Sequence, residues 1–423
     1  MTNYHRFRVL TECRLCGSKD LIESLQMHAT PLGDRYLKPG EGARNANLIP
    51  LEVVNCVRCG NYQTSAVVEA TGIYQSYLSR PGAVNKPLAK AYEQYAESLI
   101  QLAEIGDGDL VVELGSNDGL FASYFATRKF RAIGVDPAKN LAEISESRGV
   151  ETISEFFNFE LSKVIVRQHG KAKVIVANFM VANIDGLRDF VLGIANLLQP
   201  DGVFAMETNY VAEIISNLLI ETLNHEHLSY FSVTTLKKFF ESLDLQLFDV
   251  VRVPSKNGSL RCFVQHRGGS RKVSNSVQNA MDYEKTRGLF APWAWGAFDS
   301  AIRHARVSNQ QYCSTFSNEG IVGYGTSIGA TILLYQLGLG EFVSKLIDDD
   351  PYRQGLESPG LGIPTVGRDE IFRTKPEALH CLILAPQYAE KIVESNQIAQ
   401  AMGVNFLKIW PFVEKLPQGP WWT

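Results

Sequence analysis

A short segment near the middle of the chain, NHEHLSYF at 224–231, concentrates groups that can bind and release protons. Glu226 stands between two histidines, His225 and His227. An imidazole can accept a proton near neutral pH, because its ordinary pKa lies close to that range. The segment is not the HExxH pattern of a metalloprotease helix, since Ser229 stands four residues after His225. It predicts a site of proton transfer, with a second metal site and a purely structural polar turn as the alternatives.

The direction of these side chains depends on the local backbone. In an extended segment, residues two apart project to the same side. Asn224, Glu226 and Leu228 would then share one side. His225 and His227 would share the other. In a turn, both sets could reach a substrate.

Four cysteines near the N-terminus predict a structural metal site. Cys13 and Cys16 form one CxxC pair, and Cys56 and Cys59 form another. Four thiolates suit tetrahedral Zn²⁺ and leave no open position for water. The segment between the pairs, MHATPLGDRYLKPGEG at 27–42, is rich in proline and glycine and is predicted to be mostly loop. Four buried thiols without a metal are the alternative.

The elements that follow predict a nucleotide-binding α/β unit. An amphipathic helix over 86–105 precedes DLVVELGSNDGLFASYF at 109–125. This second segment reads as a buried strand, Leu110–Leu114, a tight glycine-bearing turn and a helix from Leu120. Such a turn forms a ligand cradle at the carboxyl end of a parallel strand. Because the turn lacks GxGxxG, a dinucleotide is not the first expectation.

More strands extend this unit. Asp136 ends the second strand, where an acidic side chain can bond a ribose diol. Further strands are predicted at 173–179 and 202–208, and their alternation with helices indicates a doubly wound sheet. LQLFDVVRV and GSLRCFVQH then read as an antiparallel pair that closes the unit.

The last third of the chain predicts a second α/β unit. A polar helical connector covers 274–316, and EGIVGYGTSIGATILLYQL then gives a strand, a turn and a helix. The GYGTSIG turn loosely resembles a dinucleotide loop. Such turns are common without any cofactor, so the interpretation without one is favoured.

Composition excludes several classes of partner. The formal net charge is −4 over 423 residues, so the chain lacks the excess of basic residues that binds nucleic acid or an anionic membrane. The opening MTNYHRFRVL lacks the apolar core of a signal peptide, and no apolar run is long enough to cross a bilayer. Seven cysteines, an odd number, do not suit a disulfide framework. We therefore expect a cytoplasmic protein with no nucleic-acid or membrane partner.

Several motifs stand in one order: CRLCGS, CVRCGNYQ, VVELGSNDG, NHEHLSYFS, NGSLR, GYGTSIGAT and DDDPYRQGL. Together they resemble the zinc-containing sugar C-methyltransferases over nearly the whole chain. The resemblance implies a zinc-binding domain at 1–85, a class I methyltransferase domain with a doubly wound sheet at 86–267, and a helical connector with a Rossmann-like α/β domain at 268–423. It also implies S-adenosylmethionine and Zn²⁺ as cofactors, and a monomer.

The resemblance assigns the cofactor site to the glycine-bearing loop and the strand ends beside it. The loop would face the methionine part of S-adenosylmethionine, and the acidic residue after the second strand would hold the ribose. The residues implied are Glu113, Gly115, Ser116, Asn117, Asp118, Gly119, Asp136, Pro137 and Asn178.

The resemblance also implies a reaction. The family removes a proton from carbon 3 of a nucleotide-linked 4-keto-deoxysugar and methylates the resulting enolate. His227, the second histidine of HEH, would be the base, and Glu226 would orient groups at the reacting carbon. His225 would then be structural.

Three candidate catalytic positions depart from the family pattern or align loosely with it. Asn224 stands where the family has tyrosine, and Asn183 stands where it has a second histidine. An amide can donate a hydrogen bond but is not a proton acid near neutrality. Tyr77 falls near the place of a family active-site tyrosine. A methyltransferase with a different acceptor and an inactive zinc-stabilised binding protein are therefore the alternatives.

Overall fold

Residues 6–41, 43–74, 86–373 and 378–416 are the part of the chain that the computed structural model describes. Within them the chain builds three successive units, each with its own sheet. The candidate catalytic residue Tyr77 lies outside the described residues.

The first unit consists of short antiparallel strands. Its elements are β1 Phe7–Val9, β2 Leu21–Thr30, β3 Ile49–Cys56, β4 Tyr62–Thr64, β5 Ala66–Val68, α1 Thr71–Tyr74 and, from much later in the chain, β11 Ser229–Tyr230. They form a four-stranded sheet in the order β11-β4-β3-β2 and a ribbon of β1 with β5. The prediction that 27–42 is mostly loop is wrong at its start. There β2 continues to Thr30, which pairs with Ile49 across the hairpin.

The central unit is a seven-stranded sheet. Its strands are β6 Leu110–Leu114, β7 Arg131–Val135, β8 Glu151–Ile153, β9 Ala172–Asn178, β10 Leu198–Asn209, β12 Leu245–Val253 and β13 Ser259–His266. The order is β12-β13-β10-β9-β6-β7-β8. The five strands from β10 to β8 are parallel, and β13 runs antiparallel to both of its neighbours. This confirms the predicted doubly wound sheet and its closing antiparallel pair.

Helices cover both faces of the central sheet. They are α2 Lys86–Ala103, α3 Leu120–Ala126, α4 Lys139–Ser147, α5 Phe159–His169, α6 Leu187–Leu197, α7 Val211–Ser216 and α8 Val233–Glu241. Alternate strand residues enter different cores: Val111 packs into one apolar cluster and Val112 into another. A parallel sheet buried on both faces needs such continuous apolar strands. None of the helices in the described ranges has both the length and the apolar content to cross a bilayer.

The third unit has a Rossmann-like strand order. Its strands are β14 Gly320–Tyr324, β15 Lys345–Ile347, β16 Thr365–Val366, β17 Leu379–Ile383, β18 Asn405–Lys408 and β19 Glu414–Lys415. Its helices are α9 Asn275–Thr286, α10 Gly296–Thr315, α11 Ile328–Gln336, α12 Ala389–Glu394 and α13 Gln397–Ala401. The sheet order is β16-β15-β14-β17-β18-β19, and every pair except β18 with β19 is parallel.

The GYGTSIG turn of this unit is held in shape by an aspartate at the end of the next strand. The carboxylate of Asp348 accepts hydrogen bonds from the backbone N–H of Thr326, at 2.9 Å, and from its hydroxyl, at 2.5 Å. The first turn of α11 packs closely on the central unit, since a Cβ on Gly329 would lie 2.7 Å from the Cβ of Glu221.

The three units share one apolar core and are also joined by hydrogen bonds. The side chain of Gln336 both accepts from the N–H of His28, at 2.8 Å, and donates to its carbonyl, at 2.7 Å. The indole of Trp410 donates to the carbonyl of Leu218 at 2.6 Å. The largest buried cluster contains apolar residues of all three units. The sheets otherwise fall within 1–85, 86–267 and 268–423, which we keep as the proposed domain limits, while β11 crosses from the second range into the first sheet.

Candidate active site and metal centre

The four predicted cysteine ligands come together in one cluster. Their sulfurs all lie within 4.8 Å of one another, and the sulfurs of Cys13 and Cys59, and of Cys16 and Cys56, are 3.5 Å apart. Zn–S bonds of about 2.3 Å in a tetrahedron place sulfurs about 3.8 Å apart. The cluster therefore fits Zn²⁺.

Two matching backbone turns present these sulfurs. The N–H of Gly17 donates to the carbonyl of Cys13 at 2.8 Å, and the N–H of Gly60 donates to that of Cys56 at 2.8 Å. Both glycines have positive φ, 69° and 83°, which side chains other than glycine rarely adopt. The glycine after each CxxC pair thus lets the chain turn back so that both sulfurs face inward.

One residue between the ligands links the metal centre to the NHEH segment. Arg14 is buried, and its guanidinium donates to the carbonyl of Leu228 at 3.0 Å and to that of Thr64 at 3.2 Å. Its Nε–H also donates to the carboxylate of Asp185 at 3.1 Å. Burial lowers the pKa of Arg14, and Asp185 opposes that shift. The zinc turn therefore positions the backbone that follows HEH.

A large cavity opens at the carboxyl edge of the central sheet. Its volume is about 1370 Å³. It lies beside the point where the strand order reverses, between β6 and β9, which is where open α/β sheets bind ligands. All of the predicted cofactor-binding residues except Gly119 line it.

The glycine-bearing loop is held in shape by Asp136. One carboxylate oxygen accepts from the N–H of Asn117 at 2.9 Å, and the other accepts from the N–H of Ala138 at 2.9 Å. Gly115 and Gly119 have positive φ, 70° and 72°. A Cβ on Gly119 would lie 2.2 Å from the hydroxyl of Ser145, so this glycine acts by close packing rather than by lining the cavity. Burial raises the pKa of Asp136.

Several polar groups at this end of the cavity have no protein partner. Within the described residues, both side-chain polar atoms of Asn178 and the hydroxyl of Ser116 are buried without a hydrogen bond. Glu113 differs, because its carboxylate accepts from the N–H of Ala122 at 2.9 Å and so caps α3. Burial raises the pKa of Glu113 well above its usual range. Unpaired buried polar atoms are costly, and a polar ligand such as S-adenosylmethionine would satisfy them.

The NHEH segment forms a tight turn at the other end of the cavity. Asn224 shapes it: its side-chain carbonyl accepts from the N–H of Glu226 at 3.0 Å, and its amide donates to the carbonyl of Glu221 at 3.2 Å. The N–H of His227 donates to the carbonyl of Asn224 at 3.2 Å. Asn224 is buried and does not line the cavity, whereas His225 and Glu226 do.

The two histidines are held in different ways. Nε2 of His225 lies 3.1 Å from the carbonyl of Pro50 in the first unit, which fixes it as the donor and leaves Nδ1 as an acceptor. Nδ1 of His227 lies 2.7 Å from the carbonyl of Thr222, which leaves its Nε2 as the acceptor. His227 is half-buried and is not part of the cavity wall. Burial lowers the pKa of each imidazole to about 4, so both are neutral at pH 7.

Burial shifts the pKa of the carboxyl group of Glu226 upward, opposite to its effect on the two imidazoles. It raises the pKa of Glu226 to about 7, and Asp34 adds to the increase. Asn183 also lines the cavity, and its side-chain oxygen is buried without a partner in the described part of the chain. The structure therefore brings Asn183 and Glu226 to one cavity with the glycine-bearing loop.

The sequence interpretation missed several residues of the cavity wall. They are the segment 155–158 after β8, Phe179 after β9, Lys256 in the turn before β13, and Tyr388 and Lys391 of the third unit. The rule that ligands bind at the carboxyl ends of parallel strands could have found the first two. Lys256 reaches the cavity from the turn that joins β12 to β13 of the same unit, and Tyr388 and Lys391 reach it through packing between units.

Family comparisons agree with this architecture. Residues 13–74 match a zinc binding domain, residues 88–250 match a methyltransferase domain, and residues 254–411 match a C-methyltransferase C-terminal domain. The three matches follow the chain in the order that the sequence analysis predicted.

A relative matches almost the whole chain. C-methyltransferase NovU of Streptomyces niveus is 30% identical over 406 residues, which cover 95% of each of the two chains. This chain belongs to the zinc-containing C-methyltransferases. Membership confirms the predicted methyltransferase activity, the class I methyltransferase fold, and S-adenosylmethionine and Zn²⁺ as cofactors.

Solved methyltransferases resemble the central unit only at a low level. An S-adenosylmethionine-dependent methyltransferase from Clostridium acetobutylicum is 13% identical, with a TM-score of 0.35, and covers 44% of this chain and 94% of its own. Magnesium protoporphyrin IX methyltransferase of Synechocystis is 10% identical, with a TM-score of 0.34, and covers 43% and 88%. This likeness adds nothing to the fold shown by the strand order and the family match.

We predict that this C-methyltransferase contains about one zinc per chain, and that Cys56→Ser loses it. Since Cys56 is a buried ligand and Arg14 lies between two others, loss of zinc should release both the first unit and the turn after HEH. Metal analysis and limited proteolysis check this. Cys381→Ser, in the core of the third unit, is the control that keeps the metal. Iron in place of zinc, or wild-type resistance in the metal-free variant, would contradict the prediction.

We predict that Asn178→Ala weakens S-adenosylmethionine binding about tenfold, the loss expected for one or two ligand hydrogen bonds. Its amide has no partner in the described protein, so the ligand-free melting temperature should stay at the wild-type value. Calorimetry with the cofactor and thermal unfolding without it measure the two effects. Asn279→Ala, at an exposed position on α9, serves as the control. Unchanged affinity would remove Asn178 from the cofactor site.

Proposed function

We propose that this C-methyltransferase acts on carbon 3 of a nucleotide-linked 4-keto-deoxysugar. The observation that carries the proposal is the meeting, in one cavity, of the S-adenosylmethionine loop and the HEH turn. A C–H bond beside a ketone is acidified by the carbonyl, so a side chain can remove its proton. Bound S-adenosylmethionine would supply an electrophilic methyl group.

The HEH turn would supply the base. His227 lies in the chain between the wall residues Glu226 and Leu228 and is the first candidate, because its Nδ1–H donates to the carbonyl of Thr222 and its Nε2 is left as a neutral acceptor. Glu226 would then orient the acceptor. Glu226 is itself the second candidate for the base, since it lines the cavity and its pKa of about 7 suits proton transfer near neutral pH.

Asn183 would bind the acceptor rather than exchange protons. Its half-buried amide faces the cavity between the cofactor loop and the HEH turn, and it can donate a hydrogen bond to a carbonyl oxygen. Because Asn183 and Asn224 replace a family histidine and tyrosine, a different activated carbon is the second candidate acceptor.

The far wall of the cavity suits a nucleotide diphosphate. It includes Tyr388, which immediately precedes α12 of the third unit, and Lys391, which lies in the first turn of that helix. A lysine can neutralise a phosphate and a tyrosine can stack on a base or sugar. Substrate would therefore bridge the central and third units, with its sugar toward the HEH turn.

We predict that the enzyme transfers a labelled methyl group from S-adenosylmethionine to at least one nucleotide-linked 4-keto-deoxysugar. The product should be heavier than the acceptor by the mass of one CH₂ group, about 14 mass units. The matched control is the corresponding 4-hydroxy sugar, which lacks the carbonyl and should not react. Product mass and the position of the label check this. Methylation of the hydroxy sugar, or of an oxygen, would contradict the proposed acceptor.

We predict that His227→Asn lowers turnover at least 100-fold, a typical loss for a missing general base, while the affinity for S-adenosylmethionine stays near wild type. Glu226→Gln should reduce turnover less. His304→Asn, at an exposed position on α10, is the control. Two results together would assign the base to Glu226 instead. Glu226→Gln would lose more turnover than His227→Asn, and kcat/KM would fall below about pH 7 in the wild type but not in Glu226→Gln.

A further inference from the structure

Lys256 occupies a constrained turn at the cavity. The 3₁₀ turn Ser255–Asn257 joins β12 to β13, and Lys256 has φ 48° and ψ 40°. Asn257 and Gly258 follow with φ of 62° and 131°. A lysine in the left-handed region is disfavoured, and such conformations persist only where the surrounding structure requires them. The turn places this side chain in the cavity wall.

The ammonium group is held over an aromatic ring. Nζ of Lys256 lies 3.7 Å from the centroid of Phe179. Phe179 also has positive φ, 53°, and its N–H donates to the carbonyl of Glu207 at 2.7 Å. A cation over an aromatic face is stabilised without losing its hydrogen-bond donors. Two unusual backbone conformations therefore cooperate to fix one cation at the cavity.

The charged groups around Lys256 do not neutralise it completely. The charges of Glu207 and Glu226 raise the pKa of Lys256, and the charge of Lys256 adds to the lowering of the pKa of His227. Glu207 is already paired, since Arg261 donates to it from Nε at 3.0 Å and from a terminal nitrogen at 2.6 Å. In the described chain Lys256 makes no direct ion pair. Its donors thus remain available to a ligand.

The surroundings of Lys256 also set its protonation. Lys256 is an exposed residue, and its surface is accessible through the cavity. Desolvation at the cavity wall lowers the pKa of Lys256 to about 8, and the charges of Glu207 and Glu226 limit that decrease. The group is therefore mainly a cation at pH 7 and can release its proton a little above that.

We propose that Lys256 is a catalytic residue whose ammonium group binds the ketone oxygen of the acceptor and stabilises the negative charge that this oxygen gains. The inference rests on the proposed function. In the first step the C–H bond breaks, the proton moves to the HEH base, and the electron pair moves through the new C=C bond to the oxygen. In the second step the carbon bonds to the methyl group, the sulfur–methyl bond breaks with its electrons retained by sulfur, and the ketone re-forms.

A cation is better suited to this role than the amides nearby. Asn183 can offer the oxygen a neutral hydrogen bond, but a full charge inside a cavity of low dielectric stabilises an anion much more strongly. Removing one donor from an oxyanion site typically costs about 100- to 1000-fold in rate. Lys256 and the candidate base Glu226 line the same cavity, so one site can hold both the departing proton and the charge it leaves behind.

The test compares Lys256→Met and Lys256→Arg with the wild type, and Lys285→Met on the exposed face of α9 is the control. One assay measures methyl transfer. The other measures exchange of the acceptor's α-proton for deuterium, with S-adenosylhomocysteine replacing the methyl donor. Lys256→Met should slow both about 100-fold with unchanged melting temperature and cofactor affinity. Lys256→Arg should keep activity within about tenfold of wild type, because it preserves the charge.

The pH profile gives a readout that a structural role would not change. If the protonated lysine is required, wild-type kcat should fall above about pH 8, and Lys256→Arg should move this fall to higher pH because arginine stays protonated. Wild-type rates of exchange and transfer in Lys256→Met would overturn the inference and leave the proposed function intact. Absence of exchange in the wild type with every keto sugar tested would overturn both.

Discussion

The HEH turn depends on hydrogen bonds to a different unit of the chain. His225 bonds the carbonyl of Pro50, Arg14 bonds the carbonyl of Leu228, and β11 pairs with β4 of the first sheet. A turn that carries reactive side chains has to stay open to a substrate, so it cannot be buried in the core of its own unit. Its backbone polar groups therefore need hydrogen-bond partners from another unit. The first unit supplies them. Zinc, by fixing the turn that contains Arg14, would help to hold the HEH turn in its observed geometry.

Burial controls the charges of the site. Burial keeps His225 and His227 neutral and raises the pKa of Glu226 to about 7, while desolvation at the cavity wall lowers that of the more exposed Lys256 to about 8. In the proposed reaction, enolate formation creates charge where there was none, so a base that is neutral or weakly charged and a nearby cation suit it. The depth of the cavity is therefore part of its chemistry.

Local patterns were sufficient for the parts of the molecule that depend on local geometry. The two CxxC turns, the strand Leu110–Leu114 and its glycine-bearing loop follow from residue types at fixed spacing, and the structure has them where the sequence predicts them. The extent of β2 was missed, because its pairing with β3 overrides the proline and glycine that follow. Lys256 could not have been found in this way. Its importance comes from the left-handed turn and from Phe179, more than seventy residues earlier.

The cavity explains why one reaction needs three folded units. Its cofactor end is built by the central sheet, the carbonyl of Leu228 is bonded by Arg14 of the first unit, and its far wall carries Tyr388 and Lys391 of the third. An enolate is destroyed by any proton donor, water included, so the acceptor has to be enclosed before its proton is removed. A single doubly wound sheet presents an open crevice at its edge. Units on each side add walls to that crevice, and in the proposed reaction the same two additions would position the proton acceptor and the anionic end of the substrate.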